Sequence, residues 1–178
     1  MNFNYVLKRS QWVAHPVEDV FAFFSDAANL EFLTPPWLGF KIVTPGPIEM
    51  RTNTLIDYRL NLHGIPFRWQ TKIVCWQPPY RFEDLQVKGP YRLWHHTHRF
   101  EAVDGGTLLS DCVEYALPFG PVGMLIHVMS VRSSVKAIFE FRQTKIQEIF
   151  GSDTRLHVGA HESRTGDRLV SWRSPSGR

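Results

Sequence analysis

The chain is short of cysteine, of clustered charge and of long apolar runs. Of 178 residues only Cys75 and Cys112 are cysteine. They fall on different expected strands and on opposite faces, so no disulfide is expected. Free thiols suit a reducing cytosol, which makes the expected compartment cytoplasmic. Residues 1–150 carry 15 Lys and Arg against 14 Asp and Glu, and residues 151–178 carry 5 against 3. The basic pI of about 9.0 therefore comes without a basic patch, and nucleic acid is not an expected partner. No apolar run reaches membrane-span length, and Lys8 and Arg9 stand where the core of a leader would lie. Neither an integral membrane segment nor a leader is expected. There is no Gly-x-Ser-x-Gly elbow, no phosphate-cradling glycine loop, no cysteine in a reactive motif and no internal repeat. No cofactor is expected.

What the chain does have is a hairpin with matching faces. Tyr91 to Phe100 runs into Asp104-Gly105 and out through Thr107 to Tyr115. An Asp-Gly pair between β-rich runs marks a two-residue turn, because both turn residues must take positive φ. That turn sets Phe100 opposite Leu109, His98 opposite Asp111, His96 opposite Val113 and Trp94 opposite Tyr115. Side chains alternate across a strand, so these pairs share one aromatic, apolar face into which a histidine and an aspartate are set.

Around the hairpin, Phe3 to Val13 reads as a strand, and His15-Pro16 starts a helix with Val17, Val20, Phe21 and Phe24 on one stripe. Ser25-Asp26 caps a second short helix. A short strand follows at 40–43 and longer ones at 52–62 and 65–76, with Leu60, Tyr58 and Ile56 opposite Phe67, Trp69 and Thr71. Another runs from Tyr80 to Val87. A three-residue loop there would set Asp84 against Trp94 and Phe82 against His96, on the same inner face. From Pro118 to Phe150 an apolar stripe of Met124, Val128, Val131, Val135, Ile138, Phe139, Ile146 and Ile149 predicts one long helix. Residues 151–178 are polar and read as a mobile tail. Strands in a run with segregated helices give an α+β domain over residues 1–150.

This order, with Ala14-His-Pro-Val-Glu-Asp-Val-Phe-Ala-Phe-Phe-Ser-Asp26 and Leu33-Thr-Pro35, resembles the SRPBCC superfamily of START, polyketide cyclase/dehydrase and coenzyme Q-binding-like domains. Phe82-x-Asp84, Gly89-Pro90, Trp94-x-His96-x-His98-x-Phe100 and Asp111-x-Val113-x-Tyr115-x-Leu117-Pro118 are similar to one bacterial group within it, also found fused to nucleoside-sugar-epimerase-like domains. The resemblance implies a helix-grip fold: a curved antiparallel sheet of about seven strands around a long C-terminal helix, with two short helices after the first strand. It also implies a ligand tunnel between sheet and helix for a lipid, quinone or polyketide-like molecule. An epimerase-like or membrane-associated protein partner follows from the same likeness.

The expected ligand-binding set is Tyr58, Trp69, Phe82, Asp84, Trp94, His96, His98, Asp111 and Tyr115. His98 with Asp111 is the candidate catalytic pair, a base and its orienting carboxylate, in a cyclase/dehydratase reading. The alternatives are a buried cross-strand hydrogen bond and a polar contact to ligand. A protein-interaction module is the third functional reading. His96-x-His98 has metal-ligating spacing if Asp111 or Asp84 supplies a third ligand, but that spacing alone is a weak signal, and no metal is expected. His95 is expected outside, against Glu114. Arg142 lies near the helix stripe, able to meet Asp84 or to reach solvent.

Overall fold

The structure is a computed structural model that describes residues 4–62, 64–151, 155–157 and 163–165. Strand β1 (Asn4–Val13) buries Tyr5, Leu7, Gln11 and Val13 at alternate positions. Helix α1 (Val17–Ser25) buries the four stripe residues Val17, Val20, Phe21 and Phe24, with Glu18 and Asp19 complementing its positive end. Asp26 caps a 3-10 turn (Ala27–Leu30) by accepting the Ala28 N–H at 2.9 Å. A second 3-10 turn (Pro36–Leu38) follows.

The sheet then builds in sequence: β2 (Lys41–Ile42), β3 (Leu55–Leu62), β4 (Ile65–Gln77), β5 (Arg81–Lys88), β6 (Leu93–Val103) and β7 (Gly106–Ala116). The spatial order is β2-β3-β4-β5-β6-β7-β1, so the first strand returns to pair antiparallel with the last long one. Two three-residue strands beyond Gly151, β8 (Arg155–His157) and β9 (Ser163–Thr165), also pair with β1, whose outer edge would otherwise carry unpaired backbone groups. The rest of the segment read as a mobile tail lies outside the described residues.

The β6–β7 hairpin has the expected register: Val103↔Gly106, Phe100↔Leu109, His98↔Asp111, His96↔Val113 and Trp94↔Tyr115. Asp104 (φ 50) and Gly105 (φ 76) both take positive φ, as a two-residue turn demands. The β3–β4 pairs also stand as expected. The β5–β6 pairing differs: Asp84 lies opposite His96 and Phe82 opposite His98, two residues from the expected register. The connection is longer than three residues because Gln86 folds back on it, its Nε2 donating to the Tyr91 carbonyl at 2.6 Å. An even slip keeps every side chain on its face, so Asp84 still points inward.

Helix α2 (Gly120–Phe150) closes the fold. Its inner face is Gly123, His127, Val135, Phe139, Arg142 and Ile146. Val128 and Ile149, expected inside, are exposed. For Val128 the cause is a π-helical segment at His127–Val131, whose extra residue per turn rotates the face that precedes it, whereas Ile149 lies in the last turn of the regular α-helical run beyond it. His127 takes the buried place, stacked on Tyr5 at 3.5 Å between ring centroids and bonded to the Tyr115 hydroxyl at 2.8 Å. The outer face of the first turns is apolar, with Phe119, Val122, Leu125, Val128 and Met129 all exposed. By length and composition alone this helix is apolar enough to cross a membrane, contrary to the sequence expectation. Its inner face is nevertheless committed to the sheet: Val135 and Phe139 pack with Tyr5, Leu7, Val113 and Tyr115, and Ile146 with Val13, Phe24, Phe100 and Leu109.

Candidate functional site

A cavity of about 190 Å³ lies between the sheet and α2. Leu33 and Leu38 wall it from the segment after α1, Ile56 and Leu60 from β3, Trp69 and Ile73 from β4, and Phe139 from α2. The clean alternation in β3 and β4 is what delivers those side chains to one face. Of the residues expected to meet ligand, Tyr58, Trp69, Phe82, Asp84, Trp94, His96 and His98 line the cavity. Asp111 and Tyr115 do not. Asp111 sits behind the two histidines, and the Tyr115 hydroxyl is taken by His127. Tyr91, Phe139 and Arg142 also line the wall. Trp37 is 60% exposed and packs edge-on against Phe141, while its neighbour Leu38 fills the cavity side of that corner.

The charged groups of the wall, Asp26 apart, form one cluster with Asp111. His96 Nε2 donates to Asp111 Oδ1 at 3.0 Å, and His98 Nε2 donates to Asp84 Oδ2 at 3.3 Å. His98 Nδ1 lies 2.8 Å from Asp111 Oδ1, off the line a good hydrogen bond needs. His96 Nδ1 is 3.7 Å from Asp84 Oδ2. The imidazoles lie 3.8 Å apart between ring centroids. Arg142 does not reach for solvent: it is buried, with Nε 3.9 Å from Asp111 Oδ2 and its guanidinium 5.3 Å from the centre of the Phe24 ring.

Burial and proximity set the protonation states. Burial raises the Asp111 pKa, but the Arg142 charge, the hydrogen bond from His96 and the close approach of His98 outweigh it and hold the carboxyl well below its usual range. Burial acts on Asp84 in the same direction, and the hydrogen bond from His98 with the neighbouring positive charges reverses it. His98 is pulled down by burial, but Asp111 and Asp84, one against each ring nitrogen, more than compensate and raise it. His96 is pushed down to about 4 by burial and by the charge on His98. Both carboxyls are therefore ionised at neutral pH, His96 is a neutral imidazole, and His98 is the ring that keeps its proton to higher pH. The free lone pair belongs to His96, whereas His98, lying between two carboxylates, is the proton-rich ring.

Two groups differ from the sequence reading. His95 lies opposite Glu114 in register, but its ring turns to β5, with Nε2 3.1 Å from Glu83 Oε2. There Glu83 already holds Arg81, and these charges keep its carboxyl below the usual range despite partial burial. His127 was not singled out. A steady 3.6-residue period carries no signal for it, because the π segment is what brings it inside. Among the described residues, Asp84, His96 and His98 also bring three potential metal-ligand atoms within 4.8 Å of one another, so the third member of a His-x-His set would be Asp84.

Comparison with known proteins agrees with this architecture. Residues 13–138 match the family model described as polyketide cyclase/dehydrase and lipid transport. No curated protein matches the chain by sequence. A protein from Chromobacterium violaceum superposes with a TM-score of 0.62 at 13% identity, covering 82% of this chain and 96% of that one. Ara h 8.0201 does so at 0.57 and 15%, covering 82% and 99%. A norcoclaurine synthase point mutant from Thalictrum flavum, in complex with a transition state analogue, matches at 0.59 and 14%, covering 84% and 98%. At these identities the likeness is one of fold, the helix-grip arrangement.

Proposed function

The chain belongs to the polyketide cyclase/dehydrase and lipid-transport family, and from that premise we propose that it binds one small hydrophobic molecule, or the ring end of a lipid, quinone or polyketide-like one, between the sheet and α2. The observation that carries this reading is the cavity of about 190 Å³ with its apolar wall and single compact charged cluster. Pockets for small molecules combine a mostly apolar lining with a few placed polar groups. An apolar protein cavity of about 150 Å³ takes up benzene, so this one suits one or two rings. Burial of ligand area, at about 25 cal/mol per Å², is the driving force, reduced by the cost of immobilising the molecule.

Native mass spectrometry of the purified protein, with extraction of any retained molecule, tests the reading. The expected result is a defined apolar adduct, or uptake of added naphthalene, that disappears in Ile73→Trp, which fills the cavity. A protein without adduct that also takes up no naphthalene would remove the proposal.

A second reading is turnover, favoured by the neutral His96 ring on the cavity wall. A fold neighbour, the norcoclaurine synthase, is itself an enzyme by name. In that case His96 is the base, Asp111 orients it, and His98 is the acid. His96→Gln would then abolish conversion of a bound polyketide-like substrate while leaving its binding largely intact. Equal loss of both would count against a catalytic role.

A further inference from the structure

Two hydrogen-bond acceptors face each other across the cavity wall with no proton between them. The bond from His96 Nε2 to Asp111 Oδ1, at 3.0 Å, places the ring proton on Nε2 and leaves Nδ1 as a lone pair. That lone pair lies 3.7 Å from Asp84 Oδ2, an oxygen whose donor within the cluster is His98 Nε2. A second proton on His96 would fill the gap. Burial and the His98 ring, 3.8 Å away between centroids, oppose that proton. The gap therefore calls for a donor from outside the protein, and both acceptors line the cavity.

We propose that the ligand is a neutral hydrophobic molecule of the hydroxyl, phenol or enol class, whose O–H enters between His96 Nδ1 and Asp84 Oδ2. This rests on the hydrophobic-ligand reading above and names the chemistry that the pocket selects. Other classes fit less well. A carboxylate or phosphate brings no donor and meets the charge of Asp84. An ammonium brings donors, but it would bury a further charge in a wall that already holds the Arg142 guanidinium against Asp111. A hydrocarbon or ketone brings no donor and leaves the His96 lone pair unpaired. A hydrogen bond to a charged acceptor distinguishes ligands by roughly tenfold or more.

Three probes of one shape separate these cases: 2-naphthol, 2-methylnaphthalene and 2-naphthoate, titrated at pH 7.5 and followed by fluorescence of the wall residues Trp69 and Trp94 and by calorimetry. The expected order is naphthol roughly tenfold tighter than methylnaphthalene, with naphthoate weakest. His96→Phe keeps a ring and removes the acceptor, and Asp84→Asn removes the charge. In either variant the naphthol preference falls toward unity while methylnaphthalene affinity is retained. Equal wild-type affinities for naphthol and methylnaphthalene would overturn the hydroxyl assignment and leave the hydrophobic pocket standing. Tightest binding of naphthoate would overturn it in favour of a cationic site. Failure of all three probes to bind would remove the pocket reading itself.

Discussion

His98 is held between two carboxylates, Nε2 at 3.3 Å from Asp84 Oδ2 and Nδ1 at 2.8 Å from Asp111 Oδ1. Its neighbour His96 shares Asp111 but titrates in the opposite direction. This opposition predicts a stability maximum near pH 6.5, the ordinary histidine value. The folded pKa of His98 is raised, so the native state binds more protons than the unfolded chain above pH 6.5, and stability falls as pH rises toward the folded value. The folded pKa of His96 is lowered to about 4, so between 6.5 and about 4 the unfolded chain binds more protons, and stability falls as pH drops. Each limb has a slope of at most about 1.4 kcal/mol per pH unit. Asp84 and Asp111, both held low, extend the acid loss below their ordinary value of 3.8. Urea unfolding from pH 4.5 to 8.5 gives the profile, in which His96→Gln flattens the acid limb and His98→Gln the alkaline one. A monotonic profile indifferent to both would refute these assignments.

The second prediction concerns Asp111 and Arg142, whose Oδ2 and Nε are 3.9 Å apart in the interior. Asp111→Ala leaves the buried Arg142 guanidinium without this counter-ion and His96 without its acceptor, a loss of about 3–5 kcal/mol. Arg142→Met removes the cation but preserves the packing over Phe24. In the double variant the losses should be well short of additive, with a coupling of about 1–3 kcal/mol measured by a double-mutant cycle. Additive losses would mean that the two groups do not sense each other.

The β6–β7 turn gives a third prediction, separating backbone strain from steric collision. Gly105 has φ 76 and open space where a Cβ would go, so Gly105→Ala should cost about 1–2 kcal/mol and Gly105→Asn less. A Cβ on Gly106 would stand 2.3 Å from the Val13 carbonyl oxygen and 2.5 Å from the Trp12 indole. That indole is pinned by its N–H donating to the Val103 carbonyl at 2.9 Å. Gly106→Ala should therefore cost about 1–3 kcal/mol or more, and Gly106→Asn no less. Thermal unfolding of the four variants checks the pattern, and tolerance of Asn at position 106 would contradict it.

These particulars show what was legible in the sequence. Asp104-Gly105 announced the hairpin because few residues accept positive φ at both positions, and the hairpin fixed which face His96, His98 and Asp111 share. The Gly89-Pro90 connection carried no such constraint, so its length and the partner of Asp84 were two residues off. Parity still placed Asp84 correctly, since face depends only on odd or even shift. His95 was assigned by register alone, but a long side chain on a sheet can choose either neighbouring strand, and Glu83 won. In α2 a uniform 3.6-residue stripe assumed one helical pitch throughout. The π segment broke it, exposing Val128 and bringing His127 inside. That Asp111 lies behind the histidines was beyond reach, because strand alternation gives the face of a residue and not its depth.

Depth separates Tyr115 from the site, and this gives the last prediction. Tyr115 is fully buried on the inner face, and its hydroxyl bonds His127 Nε2 at 2.8 Å. It lies outside the cavity wall, packed with Tyr5, Val113, Val135 and Phe139. Tyr115→Phe keeps that packing and deprives a buried imidazole nitrogen of its partner, which should lower stability by about 1–3 kcal/mol. Affinity for a cavity probe such as 2-naphthol should not change. Trp94, although its ring centroid is 5.9 Å from that of Tyr115, does line the cavity. Trp94→Leu should therefore weaken probe binding while leaving the Tyr115–His127 bond in place. Parallel calorimetric titration and urea unfolding of the two variants separates the effects. Loss of affinity in Tyr115→Phe comparable to that in Trp94→Leu would mean that the ligand reaches the β7–α2 contact, and the boundary of the site would have to be redrawn to include His127.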